Sequence, residues 1–291
     1  MTADKKTEFA SRLRNGDYLT APGVFDLVSA RIADRMGFPA LYMTGYGVVA
    51  SSFGLPDAGL ASYTEMVDRV KTIAAGTLTP LIADGDTGYG GLLNVQRTVR
   101  GYEQAGAVAI QLEDQKIPKK CGHTPNRRVI PVDDMVAKIR VAVAARESEN
   151  FLVIARTDAR TQYGLAEAIG RGQAFAKAGA DVVFVEAPES VDEMIEICRE
   201  IDGPLMANMV NGGKTPLLSA EELKDLGYQI VIFPGTALLA AGSAVQSVYQ
   251  HLKATGSSRG LPTPLYDFEE FSRLMGFEEV WAFEKKWTDP S

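Results

Sequence analysis

The sequence predicts an α/β protein built as a (β/α)8, TIM-type barrel. Eight short apolar or β-branched runs recur along the chain, most are followed by a stretch of helical periodicity, and no linker or low-complexity segment divides them. The runs span residues 18–24, 40–44, 80–84, 108–113, 151–157, 181–186, 204–209 and 229–234. Near-continuous apolar runs suit parallel strands covered on both faces, and eight of them with intervening helices favour closure over an open sheet. The amphipathic stretches at 132–146 and 165–178 are expected helices. Ala-Gly-Ala at 105–107, and again at 178–180, ends a helix just before a strand, with glycine as the stop.

Composition narrows the function. The 291 residues suit one barrel domain, 1–291, with 114–131 as an active-site gating loop and 260–291 as a C-terminal helical oligomerisation segment. Net charge is −7 and there is no Lys/Arg run, so no nucleic acid partner is expected. No apolar stretch reaches the roughly 18 residues of a membrane span, so no membrane partner is expected. The N-terminus lacks the apolar core of a signal peptide, and the two cysteines, Cys121 and Cys198, make no disulfide framework. A cytoplasmic location is the expectation.

Polar residues gather where the strands end: Thr44, Asp84, Asp86, Glu113, Asp114, Arg156, Asp158, Glu186 and Asn208. Barrel active sites are built at that C-terminal face from several strands. Each residue alone reads equally well as a helix cap or a rim salt bridge; recurrence on six strands favours a site. Asp84 and Asp86 are two residues apart, so both face one side if the strand continues, and close carboxylates repel unless a cation or proton sits between them. Carboxylate oxygens with room for water suit Mg²⁺, with Mn²⁺ as a substitute, and Glu113 can add a third carboxylate through the water shell. The competing reading is an ordinary Asp-Gly turn.

A loop of about 17 residues follows the fourth strand, a length usual for functional lids or disordered segments. It places Lys119, Lys120, Arg127 and Arg128 around Cys121 and His123. Cations and an imidazolium lower a thiol's pKa and make its proton transferable. Gly122 lets backbone N–H groups approach an anion. A flexible basic surface loop is the alternative. One Cys and one His are too few for zinc, while a Cys121–His123 nucleophilic pair stays open. Arg156 is a natural bidentate partner for a substrate carboxylate, or else a buried partner of Glu186. The segment 211–215 superficially matches a phosphate loop, but Asn208 stands where the first glycine belongs, so a nucleotide site is rejected.

Taken in order, Tyr42-Met-Thr-Gly45, Gly54-Leu-Pro-Asp57, Asp84-Gly-Asp-Thr-Gly88, Leu112-Glu-Asp-Gln115, Lys119-Lys-Cys-Gly-His123, Ile154-Ala-Arg-Thr-Asp158 and Asn208-Met-Val resemble the isocitrate lyase / phosphoenolpyruvate mutase superfamily over nearly the whole chain. The resemblance implies a barrel, Mg²⁺, an α-oxycarboxylate bound to it, and a homotetramer in which C-terminal helices are exchanged between subunits. It implies that Asp84 ligates the metal, that Asp57, Asp86 and Glu113 hold its waters, that Arg156, Thr44, Gly45 and Asn208 hold substrate, and that Cys121 rides on a mobile gate. The Cys-Gly-His loop resembles the short lyase branch of methylisocitrate and 2,3-dimethylmalate lyases, where the thiol protonates a carbanion; some carboxyphosphonoenolpyruvate mutase-like sequences resemble this loop too.

The resemblance thus implies a carbon–carbon lyase that cleaves a 2-hydroxy dicarboxylate to pyruvate and a saturated carboxylate. Cys121 would be the acid, His123 an alternative donor, and Tyr42 or a water on the metal the base. Tyr46, Gly122 and Glu186 would complete the substrate contacts. Tyr46 stands where methylisocitrate lyases have glycine and Leu239 near where they carry arginine, which points to a smaller substrate. The rivals are an oxaloacetate hydrolase or decarboxylase or a carboxyphosphonoenolpyruvate mutase-like enzyme at the same metal, and a non-catalytic metabolite-binding barrel.

Overall fold

The computed structural model describes residues 4–122, 124 and 126–288. Eight parallel strands close into a barrel in chain order. They are β1 (Leu19–Val24), β2 (Leu41–Met43), β3 (Leu81–Asp84), β4 (Ala109–Glu113), β5 (Leu152–Thr157), β6 (Val182–Val185), β7 (Leu205–Asn208) and β8 (Ile230–Phe233), and β1 pairs with β8 to complete the circle. Each lies inside its expected run, shorter by one or two residues. The expected helices appear as α6 (Val132–Ala145) and α8 (Leu165–Lys177). Gly106 and Gly179 adopt φ of +99° and +103°, the left-handed stop expected of both Ala-Gly-Ala segments.

The two faces of the strands part the core into two layers. Inward side chains such as Ile82, Ile154, Phe184, Met206 and Ile232 form one buried cluster with Phe9, Ala10 and Leu13 of α1 (Lys5–Arg14). That helix therefore packs with the barrel interior. Residues between them in sequence, such as Ala83, Val153, Val183 and Val231, join the second cluster with Met66 and Val70 of α4 (Tyr63–Gly76) and Ile139 of α6. Period-two alternation then fixes which residues continue the inner face. Asp84 comes two after Ile82, Gln111 and Glu113 two and four after Ala109, Arg156 two after Ile154, Glu186 two after Phe184 and Asn208 two after Met206. The inner face thus runs from apolar to polar as strands β3 to β7 approach their C-terminal ends.

The chain divides into two compact units, 1–238 and 239–291, and the barrel strands all lie in the first. The long helix α11 (Thr236–Thr255) starts at the end of the first unit; α12 (Phe268–Leu274) and α13 (Phe277–Trp287) belong to the second. Asp267 caps α12 by accepting the amides of Glu269 and Glu270 at 2.9 Å. Phe277 pairs with Trp281 and Phe283 with Trp287 along α13, and all four side chains are exposed. Among the described residues no helix is long and apolar enough to cross a membrane.

Candidate active site

Asp84 is placed by two backbone amides. Gly45 N–H donates to its Oδ2 at 3.3 Å and Asp86 N–H to its Oδ1 at 3.0 Å. Gly45 opens α3 (Gly45–Phe53), whose N-cap Thr44 accepts the Gly47 amide, so Asp84 faces the positive end of a helix. Only glycine fits at 45: a Cβ there would lie 2.6 Å from Asp84 Oδ2. Asp86 turns back at φ +49°, and Ala187, just beyond Glu186, sits at +59°. An alanine there is strained by roughly 1–2 kcal/mol, and such strain gathers at functional sites.

Asp57 and Asp86 converge on one ammonium. Lys119 Nζ lies 2.5 Å from Asp57 Oδ1 and also pairs with Asp86 Oδ1, all three side chains being buried. Burial pushes the Asp86 pKa up to about 6, against the pull of Lys119. Burial likewise raises Glu113 well above the ordinary carboxylate range, only partly offset by Arg156 3.6 Å away, and Glu113 Oε1 is buried without a hydrogen-bond partner. For Lys119, burial disfavours the ammonium, but Asp86, Glu113, Asp84 and Asp57 more than reverse that and hold its pKa high.

Arg156 is held by carboxylates of the chain itself. Its fork is already bidentate to a carboxylate of the chain: Nε donates to Asp158 Oδ2 at 3.0 Å and Nη2 to Asp158 Oδ1 at 2.9 Å. Glu186 Oε2 lies 3.2 Å from Nη2, so the anticipated Arg156–Glu186 contact is present but secondary to Asp158. Both are consistent with residues 156 and 158 sharing one face of β5 and its extension. Nη1 remains without a protein partner among the described residues. Asn208 donates Nδ2 to Glu186 Oε2 at 3.1 Å, leaving its buried Oδ1 unpartnered.

Tyr42 is buried and donates its hydroxyl to Gln111 Oε1 at 2.9 Å, while Gln111 Nε2 approaches Asp84 Oδ1 at 3.5 Å. Burial first, and the charge of Asp84 next, push its pKa well above that of a free phenol. As it stands Tyr42 is a donor; deprotonating it would require the surrounding carboxylate charge to be offset. Tyr46 lies in the first turn of α3 but is 44% exposed, and Leu239, in the second unit, is 52% exposed. No contact described for either supports the pocket narrowing expected of them.

The loop 114–131 is folded against this mouth. Gln115 bridges Val129, the Lys116 amide donates to Arg128 O, and the Gln115 side chain exchanges two bonds with the Lys120 backbone at 2.8 and 2.9 Å. At its tip the Cys121 amide donates to Asp57 O at 3.2 Å. Gly122 is pressed on the site: a Cβ would overlap Arg156 Nη2 and meet Glu186 Cδ at 2.9 Å. Cys121 is half-buried, and His123 lies outside the described residues. Of the four cations expected around Cys121, Lys119 and Arg127 are buried against carboxylates, a finding the reading of a basic loop around a thiol did not contain. The second cysteine, Cys198, lies in α9 (Val191–Glu200), its thiol pushed up to about 11 by burial.

The sequence reading missed Gln111, Lys119, Arg127 and Arg171 as members of the site. Gln111 had a signal, a lone amide inside an apolar strand. Arg171, on α8, donates to Asp114 Oδ2 at 3.1 Å, and Asp114 in turn accepts the Asp158 amide and the Thr157 hydroxyl. That support beneath the site joins three elements and leaves no local pattern.

A family model described as phosphoenolpyruvate phosphomutase matches residues 9–253. The chain is 46% identical over 279 residues to the 2,3-dimethylmalate lyase of Eubacterium barkeri, covering 96% of each. It is 42% identical over 270 residues to the 2-methylisocitrate lyase of Aeropyrum pernix, covering 93% of this chain and 86% of that one. Among solved structures it is similar to oxaloacetate acetylhydrolase in complex with 3,3-difluorooxalacetate, with a TM-score of 0.92, 34% identity and 97% of both chains covered.

The packing of Gly122 gives a direct expectation. Gly122→Ala should leave global unfolding within about 1 kcal/mol of wild type, since a loop tip carries little core. Hydrogen exchange in 119–128 should become faster, because the methyl group displaces the tip from Arg156 and Glu186. Unchanged exchange there would show that the tip does not depend on this contact.

Proposed function

We propose, from the premise that this chain belongs to the phosphoenolpyruvate phosphomutase family, that it is a metal-dependent carbon–carbon lyase cleaving a small 2-hydroxy dicarboxylate of the 2,3-dimethylmalate kind into pyruvate and a saturated carboxylate. The observation that carries the reading is the convergence of the Cys121 loop on the strand-end charges: Cys121 is tied to Asp57, and Gly122 abuts Arg156 and Glu186. The 2,3-dimethylmalate lyase relative, matched over nearly the full length of both chains, supports the substrate class.

The residues fit a hydrated divalent ion. Among the described residues no three His, Cys, Asp or Glu side chains form a direct cage. Mg²⁺ needs none, because it keeps several waters and binds through one or two carboxylates plus its substrate. Asp84 would hold the ion, with Asp57, Asp86 and Glu113 taking its waters and Mn²⁺ serving as substitute; the unpartnered Glu113 Oε1 supports that assignment. When bound, such an ion supplies Lewis acidity that lowers the pKa of a 2-hydroxyl beside a carboxylate.

The chain's own groups then have separate tasks. Thr44 and Gly45 place the helix end that orients Asp84, and Tyr42 orients it through Gln111, a role its donor geometry favours over that of base. Asn208 Oδ1 accepts from the substrate hydroxyl, and Arg156 Nη1 faces the carboxylate on which charge develops. When the 2-hydroxyl passes its proton to water in the site, the C2–C3 bond breaks, C2 becomes the keto carbon of pyruvate, and the electron pair stays on C3. The Cys121 thiol delivers its proton to C3, and the thiolate regains one from solvent. The folded loop excludes water from that carbanion. The exposed aromatic side chains of α13 are assigned to a neighbouring subunit in a homotetramer, with 260–291 as the exchanged segment.

The similarity to oxaloacetate acetylhydrolase favours a second reading, hydrolysis of oxaloacetate. Proton NMR of a reaction with Mg²⁺ separates them. 2,3-Dimethylmalate should give pyruvate and propionate in equal amounts, faster than 2-methylisocitrate gives pyruvate and succinate. Oxalate and acetate from oxaloacetate, with every hydroxy diacid untouched, would sink the lyase reading.

A thiol that only delivers a proton has its own signature. Cys121→Ser raises the donor's pKa by several units, so kcat should fall by about 10²-fold or more while KM changes far less. Cys198→Ser, remote from these groups in α9, should turn over normally. Full activity in Cys121→Ser would move the acid role elsewhere.

A further inference from the structure

Arg127 has no task in the lyase chemistry, yet its side chain is almost wholly buried. It stands on the return leg of the 114–131 loop and is 3% exposed. Its Nη1 donates to Asp158 Oδ1 at 2.6 Å and its Nη2 to Thr161 Oγ1 at 2.5 Å. Asp158 Oδ1 is the same oxygen that accepts from Arg156 Nη2 at 2.9 Å. One carboxylate therefore joins a guanidinium from the loop to a guanidinium of the site.

We propose that Arg127 is a positioning residue: it latches the loop over the site and, by sharing Asp158, releases part of Arg156's charge for the substrate. The second half rests on the lyase reading; the first does not.

The ends of the loop are fixed by other means. Asp114 accepts from Arg171 and from Thr157, and Arg171 Nη1 also donates to Ile130 O at 2.9 Å. Between those ends, two buried cations reach the barrel, one on each leg. Lys119 pairs with Asp57 and Asp86, the carboxylates assigned to the metal's waters, so an incoming ion competes for that contact. Arg127 pairs with Asp158, which lies beyond that group and is held rigidly by its own amide on Asp114 Oδ1 at 2.9 Å. The Arg127 contact therefore persists whether or not the ion is present.

Charge sharing follows from the count of partners. Burial alone would raise the Asp158 pKa, but Arg156 and Arg127 together hold it below the ordinary value, so Asp158 stays ionised. With the loop folded down, that single negative charge answers two guanidiniums. With the loop lifted, it would answer Arg156 alone and draw it more strongly. In the low-dielectric interior such a difference is felt at close range. Docking of the loop and readiness of Arg156 thus become one event.

The test reads both halves separately. Wild type, Arg127→Gln and Arg127→Lys are alkylated with iodoacetamide in the absence of substrate, and peptide mass spectrometry resolves Cys121 from Cys198. Arg127→Gln should label Cys121 at least about tenfold faster, the scale of one lost charge-assisted hydrogen bond, with Cys198 labelled at the wild-type rate. Arg127→Lys keeps the charge but cannot span Asp158 and Thr161, so it should fall between. If Arg127→Gln fails to fold, Thr161→Val removes the Nη2 contact alone and should speed Cys121 labelling to a smaller extent. Steady-state kinetics with 2,3-dimethylmalate should show kcat of Arg127→Gln lowered at least about tenfold with KM changed less than about threefold, and partial recovery in Arg127→Lys. Wild-type labelling rates at Cys121, or faster labelling with kcat untouched, would overturn the proposal. Absence of wild-type turnover on any hydroxy diacid would instead count against the lyase reading, with the labelling result unaffected.

Discussion

Seven carboxylates, Asp57, Asp84, Asp86, Glu113, Asp114, Asp158 and Glu186, have buried side chains at or just beneath the barrel mouth, facing four buried cations, Lys119, Arg127, Arg156 and Arg171. Each uncompensated buried charge costs several kcal/mol, and an excess of three would rival the roughly 5–15 kcal/mol that holds a domain together. The molecule answers this in three ways. Backbone amides are aimed at Asp84 and Asp114. Burial raises the Glu113 pKa well above the ordinary carboxylate range, which lets a proton neutralise that charge. Lys119 and Arg127 are drawn down from the loop onto Asp57, Asp86 and Asp158. The proposed metal ion would be the remaining way, and the proposed function depends on it.

The barrel is what makes so unfavourable a cluster tenable. Its lower interior is filled by Ile82, Ile154, Phe184, Met206, Ile232 and the buried residues of α1, and burial of large apolar side chains at about 1.5–3 kcal/mol each supplies the stability that the mouth consumes. Strand alternation then carries the same inward face up to Asp84, Glu113, Arg156, Glu186 and Asn208 without any further device.

This is also why the fold was legible. The apolar runs, the two Ala-Gly-Ala stops and the polar strand ends are local patterns, and each maps onto a strand, a left-handed glycine or the barrel mouth in the structure. Partner choice was not legible. Arg156 could be named from its position on β5, but that Asp158 rather than Glu186 takes its fork depends on the extended backbone after Thr157 and on Asp114 behind it. Lys119 and Arg127 read as loop charges because nothing in their neighbourhood in sequence shows that carboxylates 31 to 62 residues away will bury them. Tyr46 and Leu239 were weighed by residue type, whereas their exposure is set by packing that residue type does not encode.

Through Lys119 and Arg127 the 114–131 loop enters the charge balance of the barrel mouth. A bound ion would alter that balance most at Asp84, the carboxylate on which the helix end, the Asp86 amide and the Tyr42–Gln111 pair all converge. The most direct measurement is Mn²⁺ titration of the purified chain followed by electron paramagnetic resonance, with Mg²⁺ as competitor and Asp84→Ala alongside. The account predicts one Mn²⁺ bound per chain, displaced by Mg²⁺ and lost in Asp84→Ala while that variant keeps its fold. Mn²⁺ binding that is absent in wild type, or unchanged by Asp84→Ala, would contradict it.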